Sequence, residues 1–261
     1  MRVFGNQSQQ GQVASFLKSS AARLLILCGP PHLGKGSFIS SALEAEIHPL
    51  DCLLGGSGVD DVRAAADFCS VAPNGSPYRA AVLVGDMSHS AQSALLKVSE
   101  EPCFNSKIVL VVEDDSALSA PLLSRASCTS RWSPLSREEM KEFASASALS
   151  DEHAGLCRGR PGLLRLIGQS HLKLHEALTS LLLRGAWDHE IPDAINEAKP
   201  SSAAERELAM VIVHGVSIDA IHAGAALPRV IPFLKFVSDM RKFPSAPADV
   251  HWWRACLSSL L

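Results

Sequence analysis

The stretch Gly29-Pro-Pro-His-Leu-Gly34-Lys35-Gly36-Ser37 has the residue types and spacing to hold a phosphate group. A full phosphate loop reads G-x-x-x-x-G-K followed by Ser or Thr. The glycine turn lets backbone N–H groups converge on the anion, the lysine adds a point charge, and the hydroxyl ligates magnesium. Gly29, Gly34 and Lys35 stand at the expected positions, but the hydroxyl position holds Gly36 and the first hydroxyl comes one residue late, at Ser37. The expected nucleotide-binding set is therefore Gly29, Gly34, Lys35, Gly36 and Ser37, without the direct magnesium ligand. Asp86 ends the apolar run Ala81-Val-Leu-Val84 after one glycine. It suits a Walker B-like acid that holds magnesium through water, and it equally suits a plain acid preceding a helix. A hydrolytic site adds a glutamate beside that acid to polarise water, and here the neighbours are Met87, Ser88 and His89. Arg125, in Leu122-Leu-Ser-Arg125, taken alone is an ordinary surface arginine.

Loops of this kind need a strand before them and a helix after them. The apolar runs Leu24–Cys28, Ala81–Val84 and Ile108–Val112 read as strands buried on both faces, with further strands expected near Glu46–Asp51 and Cys128–Trp132. Helices are expected between them. Val62, Ala65, Ala66 and Cys69 share one face of Val59–Cys69, and Ala91, Ala94, Leu95 and Val98 share one face of Ala91–Glu101, which Pro102 stops. Alternating strands and helices predict an α/β fold with a parallel sheet, with ligands at the carboxyl ends of its strands. After Trp132 only helices are expected. The first starts at Ser136, with Glu139 at capping-box spacing, and a Gly- and Arg-rich turn over Gly155–Gly162 separates two others. Lys199–Ser202 and Phe243–Ala248 read as interhelical loops. Val250, Trp253, Leu257 and Leu260 form one apolar face, suited to core or subunit packing.

With 261 residues, 47% hydrophobic and 20% charged, the chain has the composition of a globular protein large enough for more than one domain. A net charge of −3 argues against wholesale wrapping of nucleic acid, although Lys35, Arg63 and Lys97 are candidates for a local basic face. No apolar stretch reaches the roughly 20 residues that span a bilayer, so no membrane partner is expected. The seven cysteines lack a C-x-x-C pair, so zinc and a disulfide framework are not expected and reduced cytosolic thiols are.

Several stretches in order resemble a subunit of the DNA polymerase III clamp loader, in the AAA+ superfamily, over roughly residues 1–170. They are the loop Gly29–Lys35, Gly58-Val-Asp-Asp-Val-Arg63, Tyr78-Arg-Ala-Ala-Val-Leu-Val84, Ala91-Gln-Ser-Ala-Leu-Leu-Lys-Val-Ser-Glu-Glu-Pro102, Leu123-Ser-Arg-Ala126 and Pro134-Leu-Ser-Arg-Glu-Glu139. The L-L-K-x-x-E-E-P element is specific to the family. The family's S-R-C element reads Ser124-Arg125-Ala126 here. The resemblance implies an AAA+ RecA-like α/β domain over 1–133, a helical lid over 134–170 and an all-helical collar over 171–261. It implies ATP or ADP with Mg2+ as ligand, a cytoplasmic location, and a pentameric ring with other clamp-loader subunits that places a sliding clamp on primer–template DNA. Arg125 stands where the family carries an arginine finger that reaches the ATP of the neighbouring subunit in trans. The departures lie at the chain's own site: Gly36 after the lysine, no acid pair at Asp86, Val112 and Glu113 where a threonine is expected, and Gly162, flanked by Arg160 and Arg165, where a sensor arginine is expected. The family's zinc-binding cysteine cluster is absent as well. Together these imply a delta-prime-like stator that donates Arg125 and hydrolyses little itself. An active gamma-like ATPase subunit is the alternative, and an unrelated small-molecule kinase the remote one.

Overall fold

A computed structural model describes residues 5–100, 105–147, 150–184, 193–194, 197–198 and 202–242. Pro102, the loop at 243–248 and the apolar face containing Trp253 lie outside the described residues. The chain divides into two compact units, Met1–Leu135 and Ser136–Leu261.

The first unit is a parallel sheet in the order β2-β3-β4-β1-β5. Its strands are β1 (Leu24–Cys28), β2 (Cys52–Gly55), β3 (Arg79–Val84), β4 (Ser106–Val112) and β5 (Cys128–Arg131). The helices α1 (Gln7–Lys18), α2 (Lys35–Glu44), α3 (Val59–Cys69), α4 (His89–Glu100) and α5 (Ala120–Arg125) alternate with them. Side-chain alternation sorts each strand between two cores. Leu24, Ile26, Leu83, Leu110 and Val112 pack on the face that α3, α4 and α5 cover, while Leu25, Leu27, Val82, Val109 and Val111 pack on the face beneath α1 and α2. Burial on both faces accounts for the unbroken apolar runs of β1, β3 and β4.

One expected strand is displaced. Residues Pro49–Asp51 form a 3-10 turn, and the strand follows at Cys52–Gly55. Pro49 has no N–H to give a ladder. His48 Nδ1 accepts from Leu50 N at 3.3 Å, and Asp51 is turned inward, where its two carboxylate oxygens accept from Asn74 N at 2.8 and 3.0 Å. The hydrogen bond from Asn74, with those from Ser76 and the charge of Arg79, holds the Asp51 carboxyl below its ordinary value.

The ends of this unit meet. The Asn6 side-chain amide donates to Ser133 O at 2.9 Å and accepts from Ser133 N at 3.0 Å. At the amino-terminal edge of the sheet a cavity of about 220 Å³ opens beside Arg23, Tyr78 and Lys107. The buried Lys107 ammonium donates to Phe16 O, Ser19 O and Ala22 O, closing off the carboxyl end of α1, and burial pushes it below the ordinary lysine value.

In the second unit every described element is helical: α6 (Arg137–Ala146), α7 (Asp151–Leu156), a 3-10 segment at Pro161–Leu166, α8 (Gln169–Arg184), α9 (Ala203–His222) and α10 (Leu227–Lys242). The expected capping box at α6 is present, with Ser136 Oγ accepting from Glu139 N at 3.2 Å and Glu139 Oε2 from Ser136 N at 2.8 Å. The expected Gly155–Gly162 turn is shorter, because Gly155 belongs to α7 and the chain reverses over 157–160. No helix among the described residues is long and apolar enough to cross a membrane.

Candidate nucleotide-binding site

A parallel sheet sends the carboxyl ends of its strands to one edge, where the loop residues Gly29–Ser37 and Asp86 gather, whereas Arg125 lies just before β5, at the opposite edge. β1 exits into the loop at Gly29, β4 exits at Glu113 beside it, and β3 exits at Gly85 and Asp86, with β4 lying between β3 and β1. The loop base is stitched on both sides: Trp132 N donates to Cys28 O at 2.7 Å, and Gly29 N donates to Glu113 O at 3.2 Å. Glycine is required at 29. Its φ is +142°, and a Cβ there would lie 2.3 Å from Trp132 O. Gly34 caps α2 with φ +87°, in the left-handed region.

Lys35 is 6% exposed. Its Nζ donates to Gly29 O and, at 2.7 Å, to Pro30 O, so the ammonium lies inside the turn. Burial excludes it from the basic face suggested by composition. Arg63 stays exposed, where it pairs with Asp60 at 3.0 Å. Gly36 and Ser37 follow on the exposed start of α2. A Cβ at Gly36 would meet nothing within 4 Å, so packing does not exclude the hydroxyl missing there.

The acids at the β4 exit are a second feature of the site. Asp114 caps its own turn, accepting from Ser116 N at 2.9 Å and from Ser116 Oγ at 2.7 Å, which holds its carboxyl below the usual range. Asp115 pairs with Arg131 at 2.6 Å. Burial pushes the Cys28 thiol up; a hydrogen bond from the Asp115 backbone opposes this, the carboxylates of Asp115 and Asp114 add to it, and Lys35 opposes it. Two acids and the loop lysine thus lie within electrostatic reach of one buried sulfur.

Trp132, which the sequence marks only as a strand end, follows β5 and lies against the base of the loop. It is 2% exposed, its ring lies 5.4 Å from that of Phe38 on α2, and its indole Nε1 has no hydrogen-bond partner among the described residues. A buried unpaired donor costs about 1–3 kcal/mol.

Asp86 is exposed, and its backbone carbonyl accepts from Ser57 Oγ at 2.8 Å. Its carboxylate makes no hydrogen bond or ion pair among the described residues. Arg125 is exposed at the last position of the short α5. A residue not singled out from sequence holds that helix in place. Gln92, 5% exposed on α4, donates through Nε2 to Met87 O at 3.1 Å and Ala117 O at 3.0 Å, and accepts through Oε1 from Ser119 N at 2.7 Å. It ties the β3 exit to the cap of α5. In the second unit Arg160, beside Gly162, is paired with Glu207, while Arg165 is exposed.

The residues present fit a phosphate group better than a metal. The α2 N-terminus, the glycine turn and Lys35 suit an anion. Gly36 supplies no magnesium ligand, and among the described residues no group of three or more His, Cys, Asp or Glu could hold a metal ion.

No protein-family model matches the chain, and no curated protein sequence matches it. Solved structures do. The DNA polymerase III gamma subunit-related protein of Thermotoga maritima superposes with a TM-score of 0.52 at 18% identity, over 97% of this chain and 98% of that one. A RuvB structure from the same organism gives 0.50 at 16% identity, over 94% and 87%. The chain shares the RecA-like parallel α/β fold of these structures. In that frame the loop after β1 occupies the edge where the carboxyl ends of the strands converge, and Gln92 braces the short helix that carries Arg125. The DNA clamp loader delta protein of Bacillus subtilis is less similar, with a TM-score of 0.47 at 11% identity over 96% and 88%.

Proposed function

We propose that this chain is a clamp-loader subunit of the delta-prime type, which lends Arg125 to the ATP site of a neighbouring subunit and hydrolyses little or no ATP itself. The reading takes a helical lid over 134–170 and a collar over 171–261 to follow the α/β domain. Its partners are the other subunits of a pentameric ring in the cytoplasm, the sliding clamp, and primer–template DNA reached through the assembly. The observation that carries it is the contrast between two places in the first unit. Arg125 is exposed at the end of a helix anchored by Gln92, whereas the chain's own site has Gly36 at the magnesium position and an isolated Asp86.

A positioned guanidinium stabilises charge that develops on a transferring phosphoryl group, and such an arginine supplied in trans is worth about 10³–10⁵ in rate. The test is Arg125→Ala in the assembled complex, with hydrolysis at the neighbouring site read by single turnover. That step is expected to slow by about 10³-fold or more, while the isolated subunit melts as before. An unchanged rate would sink the proposal.

A gamma-like active subunit is supported by one observation, the Lys35 ammonium held inside the loop turn. It predicts Lys35-dependent hydrolysis in a complex whose other ATP sites are disabled. Absence of any such hydrolysis disposes of it.

A further inference from the structure

We infer that Arg158 and Arg160 form a latch fastening the turn 157–160 to α9, so that the helical segment before α8 and α9 itself move as one body. The turn is built for the contact. Arg158 has φ +47°, a left-handed conformation that a non-glycine side chain keeps only when its surroundings enforce it, and Gly159 follows at φ +78°. The Arg158 guanidinium lies against α9 where Gly215 leaves room. A Cβ at 215 would stand 2.5 Å from Nε and 2.9 Å from Nη2. One turn further along α9, Asp219 pairs with Arg158. Arg160 reaches back to Glu207, and the two side chains are only 14% and 19% exposed, so water screens that pair weakly. Positions 207, 215 and 219 fall along one row of residues spaced by fours, and the turn therefore grips α9 at three points of a single ridge.

Sliding of the turn along α9 would break two ion pairs and drive Arg158 off its glycine seat at once. The arrangement also commits Arg160 to a carboxylate, although it is the arginine two residues before Gly162 in a segment where the family resemblance implies a phosphate-sensing one. If the clamp-loader reading holds, on which this functional half rests, the chain acts as an arm that transmits motion between neighbours and does not respond by lid rotation.

The test uses the full chain and then the assembly. Gly215→Ala keeps every charge and displaces Arg158. Glu207→Gln releases Arg160 with almost no change of shape. Amide hydrogen exchange of peptides covering 157–166 is expected to become about tenfold faster in each variant, and ATP-driven clamp loading by the assembly to slow with Arg125 intact. Unchanged exchange in both variants would overturn the latch. Faster exchange with unchanged loading would overturn the one-body role. Neither result touches the Arg125 proposal, whose failure appears in single-turnover hydrolysis alone.

Discussion

Replacing Gln92 by methionine removes three hydrogen bonds from the buried joint between the β3 exit and α5 while nearly preserving side-chain volume. Gln92 Nε2 serves Met87 O and Ala117 O, and Oε1 receives the Ser119 N–H. Each bond contributes about 1 kcal/mol net, so the loss is about 3 kcal/mol, with the stranded Ser119 N–H a substantial part of it. For a domain of this size each kcal/mol shifts the melting temperature by about 2–4 °C, which predicts a drop of about 6–12 °C. Thermal denaturation followed by circular dichroism on the parent and Gln92→Met proteins measures it directly. The same variant should weaken the Arg125-dependent step in the assembly, because Ser119 caps the helix that ends at Arg125. A melting shift below about 2 °C would refute the reasoning, since it would mean that the three bonds contribute less than one ordinary hydrogen bond between them.

Gly36→Ala should stabilise the protein by about 0.5–1 kcal/mol, because a helical glycine costs that much relative to alanine and a Cβ at 36 enters open space; urea denaturation reads the gain, and destabilisation would show that the α2 start is not regular helix. Acid lability should trace in part to Asp51, whose folded value lies below its unfolded 3.8. The stability it contributes is complete above that value and is lost as pH falls through the folded one. Asp51→Asn should therefore flatten the fall in denaturation midpoint between about pH 5 and pH 2, and an unchanged slope would assign acid unfolding to other groups.

The legible parts of the molecule were local in sequence. Leu24–Cys28 and Ile108–Val112 announced themselves as buried strands because both of their faces are covered. The helix Val59–Cys69 has the bounds that its apolar spacing predicted, and the Ser136–Glu139 box depends on residues three apart. β2 was misplaced because it is a four-residue edge strand with Leu54 63% exposed, which leaves little pattern, and because the Pro49–Asp51 turn precedes it. In the site, Gly29, Gly34 and Lys35 could be read from their spacing. Gln92 could not, since two of its three partners lie 25 and 27 positions away and only the packing of α4 beside α5 joins them. Trp132 approaches the loop only because β5 pairs with β1. Arg158 and Arg160 lie in the Gly- and Arg-rich turn that the sequence marks, but their partners on α9 are 61 and 47 residues distant, beyond any local spacing.

The reciprocal pair between Asn6 and Ser133 brings the entry and exit of the first unit within one side chain of each other. A unit whose ends are adjacent can be joined end to end by a short linker and opened elsewhere, with the order of its strands in space unchanged. The exposed segment between α3 and β3, which contains Gly75, is the natural place for new termini. The same closure makes the α/β unit a self-contained module. Segments attached at either end can be lengthened, shortened or exchanged without altering the path of the chain through the sheet.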